Sequence, residues 1–113
     1  MNNPASAGWR QINFAFRKLD LIKVVGREQP VLIRELLGEQ SLLSQTCLDE
    51  LAGYHSALDH YFAAEFRAAL ALFRQLSDKR YTKLHQLFID RCLHYIDHPP
   101  VEGWDGISRY TSK

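Results

Sequence analysis

Asp90 to Lys113, DRCLHYIDHPPVEGWDGISRYTSK, contains the change of architecture that decides the fold. Its first half carries Cys92, Tyr95 and Ile96 at helical spacing. Pro99-Pro100 ends that helix, because neither proline has an amide to donate and each clashes with the preceding turn. Trp104-Asp105-Gly106 then has turn chemistry, and Gly106 to Thr111 has the β-branched and aromatic content of a short strand. Trp104 is placed to pin the start of that strand by packing on the helices.

Upstream of this segment the period is helical as far back as Ser44. Cys47, Leu51, Tyr54, Leu58 and Tyr61 step by four and three along one face, with Asp49, Glu50, His55, Asp59 and His60 on the others. Ser44 or Thr46 can cap this first helix by accepting a bond from an unpaired amide. A break near Ala63-Ala64 precedes a second helix with Phe66, Ala69, Leu70, Phe73 and Leu76 as its stripe. Ser77-Asp78 is expected to cap a third, whose apolar positions are Tyr81, Leu84, Leu87, Phe88, Cys92, Tyr95 and Ile96. The first two helices resemble one tetratricopeptide-type pair, with Tyr61 as the aromatic, Ala69 as the small residue at the crossing and Phe73 as the bulky residue one turn later. A lone pair of that kind needs neighbours to cover its apolar faces.

Towards the N-terminus the period falls to two. Ile12, Phe14 and Phe16 alternate with Asn13, Ala15 and Arg17, the signature of a strand with one buried face, an apolar run follows from Leu19 to Val25, and Pro30 to Leu36 is again extended. Gly26 in Gly26-Arg27-Glu28-Gln29 supplies the turn, so a β-hairpin is predicted, with Pro30 at the start of its second strand where a missing donor does least harm. An isolated hairpin is marginal in water, and the C-terminal strand is its expected neighbour. The predicted architecture is α+β: a three-helix unit packed on a small antiparallel sheet made of the hairpin and the C-terminal strand. Residues 1–10 read as a flexible lead-in. Residues 11–113 read as a single domain, with the hairpin at 11–37, the helices at 44–98 and the turn and strand at 104–113.

Two of these stretches resemble the C-terminal region of bacterial class III adenylate/guanylate cyclases. Arg91-Cys92, Pro99-Pro100, Trp104-Asp105-Gly106 and the closing Lys113 stand in the order found at the extreme C-terminus of many such enzymes. Phe16 to Leu36, FRKLDLIKVVGREQPVLIREL, looks like the last β-hairpin of their catalytic domain, approximately Arg-x-Leu-Asp-x-x-x-Val-Lys-Gly-Lys-x-x-Pro-Val-x-x-Tyr-Glu-Leu. The likeness runs roughly from Phe16 to Lys113. It omits the family's two metal-binding carboxylates, its base-recognition residues and its Asn/Arg transition-state pair, all of which precede this hairpin. Val25 stands where the family has a phosphate-contacting lysine, and Arg27 replaces the second lysine. A neutral branched side chain cannot supply the charge-assisted contact that an ammonium gives a phosphate. The resemblance therefore implies a non-catalytic interaction or regulatory module whose helical pair binds a protein partner or a second copy. The alternative is a C-terminal cyclase fragment that contributes to cyclic nucleotide synthesis only with a separate catalytic segment.

Composition narrows the other possibilities. The chain has 113 residues, 46% hydrophobic and 24% charged, which suits one globular domain. Fourteen basic and thirteen acidic residues leave a formal net charge of +1, so there is no overall field to attract nucleic acid or an anionic membrane. No stretch approaches the roughly 18 to 20 apolar residues of a membrane span, and MNNPASAGWRQ is not built as a signal peptide. A cytoplasmic protein without cofactors is expected. Cys47 and Cys92, in apolar helical settings and without CxxC spacing, read as reduced core thiols.

Four clusters admit a chemical reading beside a plain one. Asp90, His94 and His98 at i, i+4 and i+8 have a spacing that can stack metal ligands on one side, but a histidine at a helix C-terminus is also favoured by the dipole. His55 and His60 have no nucleophile beside them and read as solvated helix positions. Lys79, Arg80 and Lys83 form a short basic patch or simply a solvated helix end. Arg17, Lys18, Lys23 and Arg34 either guard the edge of the sheet or frame a docking site on it. No catalytic, cofactor-binding or metal residue is assigned. The residues singled out for structure or interaction are Tyr61, Ala69, Phe73, Arg91, Cys92, Pro99, Pro100, Trp104, Asp105 and Gly106.

Overall fold

A computed structural model describes residues 11–110; the lead-in expected at 1–10 and the last residues, 111–113, lie outside the described residues. The architecture is α+β, with strands β1 (Phe14–Val24) and β2 (Val31–Glu39), helices α1 (Gln45–Phe62), α2 (Phe66–Lys79) and α3 (Lys83–Asp97), and strand β3 (Ser108–Tyr110). A short 3-10 turn at Gln40–Leu42 joins the hairpin to α1. The sheet order is β2-β1-β3.

β1 and β2 pair antiparallel around a turn in which Gly26 takes φ +89°, a left-handed value that suits glycine. The register shifts twice, between Ala15 and Phe16 and between Lys18 and Asp20. At the second shift Leu19 is the extra residue, and such a bulge bends the strand and re-aims its side chains. The C-terminal strand does join the hairpin, with Ile22 opposite Ser108, but it runs parallel to β1 and not antiparallel as expected. A parallel neighbour requires a long crossover, and here the three helices lie in the chain between β1 and β3.

The core belongs to the helices. Tyr54, Ala57, Leu58 and Tyr61 of α1 meet Phe66, Ala69, Leu70 and Phe73 of α2 and Phe88, Ile89 and Cys92 of α3, and all are buried. Ser44 caps α1, its hydroxyl accepting from the Cys47 amide at 3.0 Å. The α2–α3 boundary differs from the sequence expectation. α2 runs through Ser77-Asp78 to Lys79, and Thr82 is the cap, accepting from the His85 amide at 3.0 Å. The extended backbone at Arg80 and at Thr82 makes the break, since an N-cap residue needs β-region angles. Tyr81 therefore lies between helices and is exposed instead of joining the core stripe, and Leu87 is exposed on α3.

Candidate interaction surface

The aromatic rings form a continuous chain through the helical unit. Phe73 and Phe88 stack at 5.3 Å, Phe88 meets the Tyr61 edge at 5.1 Å, and Tyr61, Phe66 and Tyr95 receive Trp104 at 5.1–5.3 Å. Trp104 thus pins the C-terminal turn onto the helices. Asp105 accepts the Ile107 amide at 3.0 Å, and Gly106 follows at φ +74°, buried beneath the Phe62 ring, where an added Cβ would collide with it. Pro99 and Pro100 follow the end of α3 at Asp97 and help line an open groove of about 690 Å³ beside Phe66, Tyr95 and Trp104. Those three rings touch one another at 5.1–5.2 Å, leaving no gap between them for a cation. Tyr61, Ala69, Phe73 and Cys92 all lie within the helical core.

Arg91 does something the sequence did not signal. Its guanidinium reaches across to β1 and donates two bonds at 3.1 Å to the two carboxylate oxygens of Asp20, 71 residues away. The side chains are 20% and 13% exposed, and the Ser108 hydroxyl lies 3.4 Å from the same carboxylate. One ion pair therefore ties β1, α3 and β3 together. Parallel N–H···O bonds of this kind fix orientation as well as charge. A second tie lies two residues back along β1. The Tyr54 hydroxyl donates to the Lys18 carbonyl at 2.5 Å, and His55 Nε2 accepts from the Lys18 amide at 3.2 Å.

Ala15 is buried and Leu19 shares a cleft with Leu51 and Leu84, but the opposite face of the hairpin is open. Phe16 sits opposite Leu36, with the Arg34 guanidinium 4.6 Å above the Phe16 ring, and Leu32 sits opposite Leu21. Phe14 is 52% exposed and Leu36 59%, with Phe16 and Leu32 also on the surface. Among the described residues no strand lies beyond β2, so its outer edge is unpaired by any other strand. The four cations expected either to guard the sheet edge or to frame a docking site divide. Arg17 pairs with Glu35 across the hairpin at 2.8 Å, Arg34 covers Phe16, the Lys18 backbone is held by α1, and Lys23 lies opposite Arg109 of β3. Only Arg34 belongs to the open strand.

The remaining candidates stay apart from this surface. His94 and His98 stack at 4.9 Å, but Asp90 accepts from Gln86 at 2.8 Å, and among the described residues no three metal-ligating side chains converge. His60 pairs with Glu65 at 2.6 Å and Arg80 with Glu50 at 3.2 Å, so the basic patch of Lys79, Arg80 and Lys83 is partly neutralised. Burial pushes the Cys92 thiol up to about 11, which keeps it protonated and poor as a nucleophile at neutral pH. Cys47 is only half-buried, and both cysteines are free. Val25 lies outside both strands, exposed at the hairpin turn. No helix among the described residues is long and apolar enough to cross a membrane. Comparison with protein-family models, with curated proteins and with solved structures finds no match for this chain.

Proposed function

We propose that this chain is a non-catalytic interaction module related to the C-terminal part of a class III nucleotide cyclase, and that it binds a protein partner or a second copy through its hairpin. The observation that carries this reading is the hairpin's exposed apolar face, Phe14, Phe16 with Arg34 above it, Leu32 and Leu36, beside an edge of β2 that no other strand among the described residues pairs with. Contiguous exposed apolar groups mark association surfaces, and an open strand offers its amides and carbonyls to an added strand. The helical pair, the other candidate for binding, buries its apolar stripe against α3 and contributes less.

A second reading draws on the same surface. An unfinished sheet is what a cyclase fragment would bring to a separate catalytic segment, and the Asp20-containing hairpin keeps the family pattern. Native mass spectrometry distinguishes the two. The chain is measured alone and with the polypeptide encoded immediately upstream, beside Phe16→Glu. A dimer or a heterocomplex that Phe16→Glu abolishes supports the module; a chain that stays monomeric and unpaired at high concentration sinks it. Cyclic nucleotide formed from ATP or GTP by the mixture, but by neither component alone, favours the fragment. The chain by itself, with Mg²⁺ or Mn²⁺, is expected to form none.

A further inference from the structure

The hairpin is fastened to the helices at two points of β1, on either side of the Leu19 bulge. At Asp20 the fastening is the Arg91 fork, which involves no imidazole. At Lys18 both backbone groups are taken by adjacent residues of α1, Tyr54 as donor and His55 as acceptor. Among the described residues β3 pairs with β1 only at Ile22 to Val24, so at Lys18 a helix does what a neighbouring strand does further along. For Nε2 to accept, the ring must be neutral with its proton on Nδ1. Of the common side chains, imidazole is the one whose ordinary titration falls between pH 5 and 8.

We propose that His55 is an acid-operated release of one of the hairpin's ties: a proton on Nε2 turns the acceptor into a donor facing the Lys18 amide, that bond is lost, and β1 is left held by the Tyr54–Lys18 bond and the Asp20–Arg91 fork. The proton comes from solvent, which the half-buried ring can reach. The groups facing His55 are Lys18 and Arg17 from β1, which oppose its protonation, and Asp59 from its own helix, which favours it. Burial is the largest influence and acts with the two cations, holding the imidazole below its ordinary value of 6.5. An unfolded chain therefore takes the proton first as the pH falls. The clasp contributes fully above pH 6.5 and is lost progressively below it, until the folded form is protonated too. The release is a property of the hairpin's attachment and holds whether or not the hairpin binds a partner.

Amide hydrogen exchange followed by NMR at about pH 8 and about pH 4.5, at or beyond the two ends of the imidazole range, tests it. After correction for intrinsic rates, protection of the Lys18 amide is expected to fall about fivefold, the worth of one hydrogen bond, while amides in the middle of α1 hold. In His55→Gln, whose side-chain carbonyl accepts without titrating, protection stays level. An equal fall in His55→Gln, or none in the wild type, overturns the proposal. A wild-type titration guards against a misfolded variant: the Lys18 amide shift must follow the His55 ring with one midpoint, and a midpoint that instead follows His85 also overturns it.

Discussion

The helical unit and the hairpin are built from similar residues and end up in opposite conditions. Phe73, Phe88 and Cys92 are fully buried between helices, whereas Phe14 and Leu36 are more than half exposed on the sheet. Three amphipathic helices close on one another and bury most of their apolar stripes, leaving Leu87 and Leu93 of α3 exposed. Two strands have two faces, and one short parallel neighbour covers three residues of one edge. The hairpin is thus fastened by a few polar ties where the helices are held by packing. Its open face is conspicuous because the other half of the molecule shows what this chain does with apolar residues when it can bury them.

The comparison breaks most directly by trimming one ring in each region. Phe88→Ala removes a ring that stacks on Phe73 and meets Tyr61, and it should cost about 3 to 5 kcal/mol in urea unfolding. That is a large share of the roughly 5 to 15 kcal/mol that holds a small domain. Leu36→Ala, on the open face, should stay within about 0.5 kcal/mol. A large loss at Leu36 in the monomer would mean that the face is covered in solution and that the two regions do not differ in burial.

A smaller effect, but one specific to the junction, is expected at Arg91. Arg91→Ala leaves the Asp20 carboxylate at 13% exposure without its counter-charge, and removing one partner of a buried pair costs about 3 to 5 kcal/mol. Residual solvent access at both ends should reduce this to about 2 to 3 kcal/mol. Asp20→Asn in the same background should recover part of the loss, since no uncompensated charge remains. A double-mutant cycle reads the coupling. Two losses that simply add would show that the fork does not bind hairpin to helices.

Much of this was legible in the chain, and what was missed has physical causes. Three helices, a hairpin and a final strand follow from the change of period between 3.6 and 2, because burial on one face dictates where apolar residues recur. A cap at Ser44 or Thr46, of which Ser44 takes the role, and Pro99-Pro100 as a stop are local chemistry and readable as such. Ser77-Asp78, expected to cap the third helix, has capping side chains as Thr82 does, and only packing of α2 as far as Lys79 decides between them. The direction of β3 depends on how the helices return the chain to the sheet, which no local pattern encodes. The Asp20–Arg91 fork lies 71 residues apart in sequence. Arg91, singled out through its place beside Cys92, gained its role only when α3 was set against β1. The open face was invisible for a related reason: alternation announces a buried face, and nothing in Phe14 or Leu36 says that no cover arrives.

The smallest predicted effect tests how firmly the helical side is settled. Between α1 and α2 the chain turns at Ala64, which takes φ 63° and is the described residue other than glycine with a positive φ. The geometry is a helix C-terminal turn: the Glu65 amide bonds the His60 carbonyl at 2.8 Å and the Ala64 amide bonds that of Tyr61 at 3.0 Å. A left-handed residue with a Cβ carries about 1 to 2 kcal/mol of steric cost, which glycine does not. Glycine also gives the unfolded chain more freedom, at about 0.5 to 1 kcal/mol. The difference leaves Ala64→Gly stabilising by about 0.5 to 1 kcal/mol, a rise of a few degrees in Tm for a domain of this size. The helices should gain it without any change in the hairpin's ties, so exchange at Lys18 should stay as it was relative to global unfolding. If Ala64→Gly lowers Tm instead, the α1–α2 turn is not left-handed in solution, and the close approach of Tyr61 to Phe66 that it sets would need another cause.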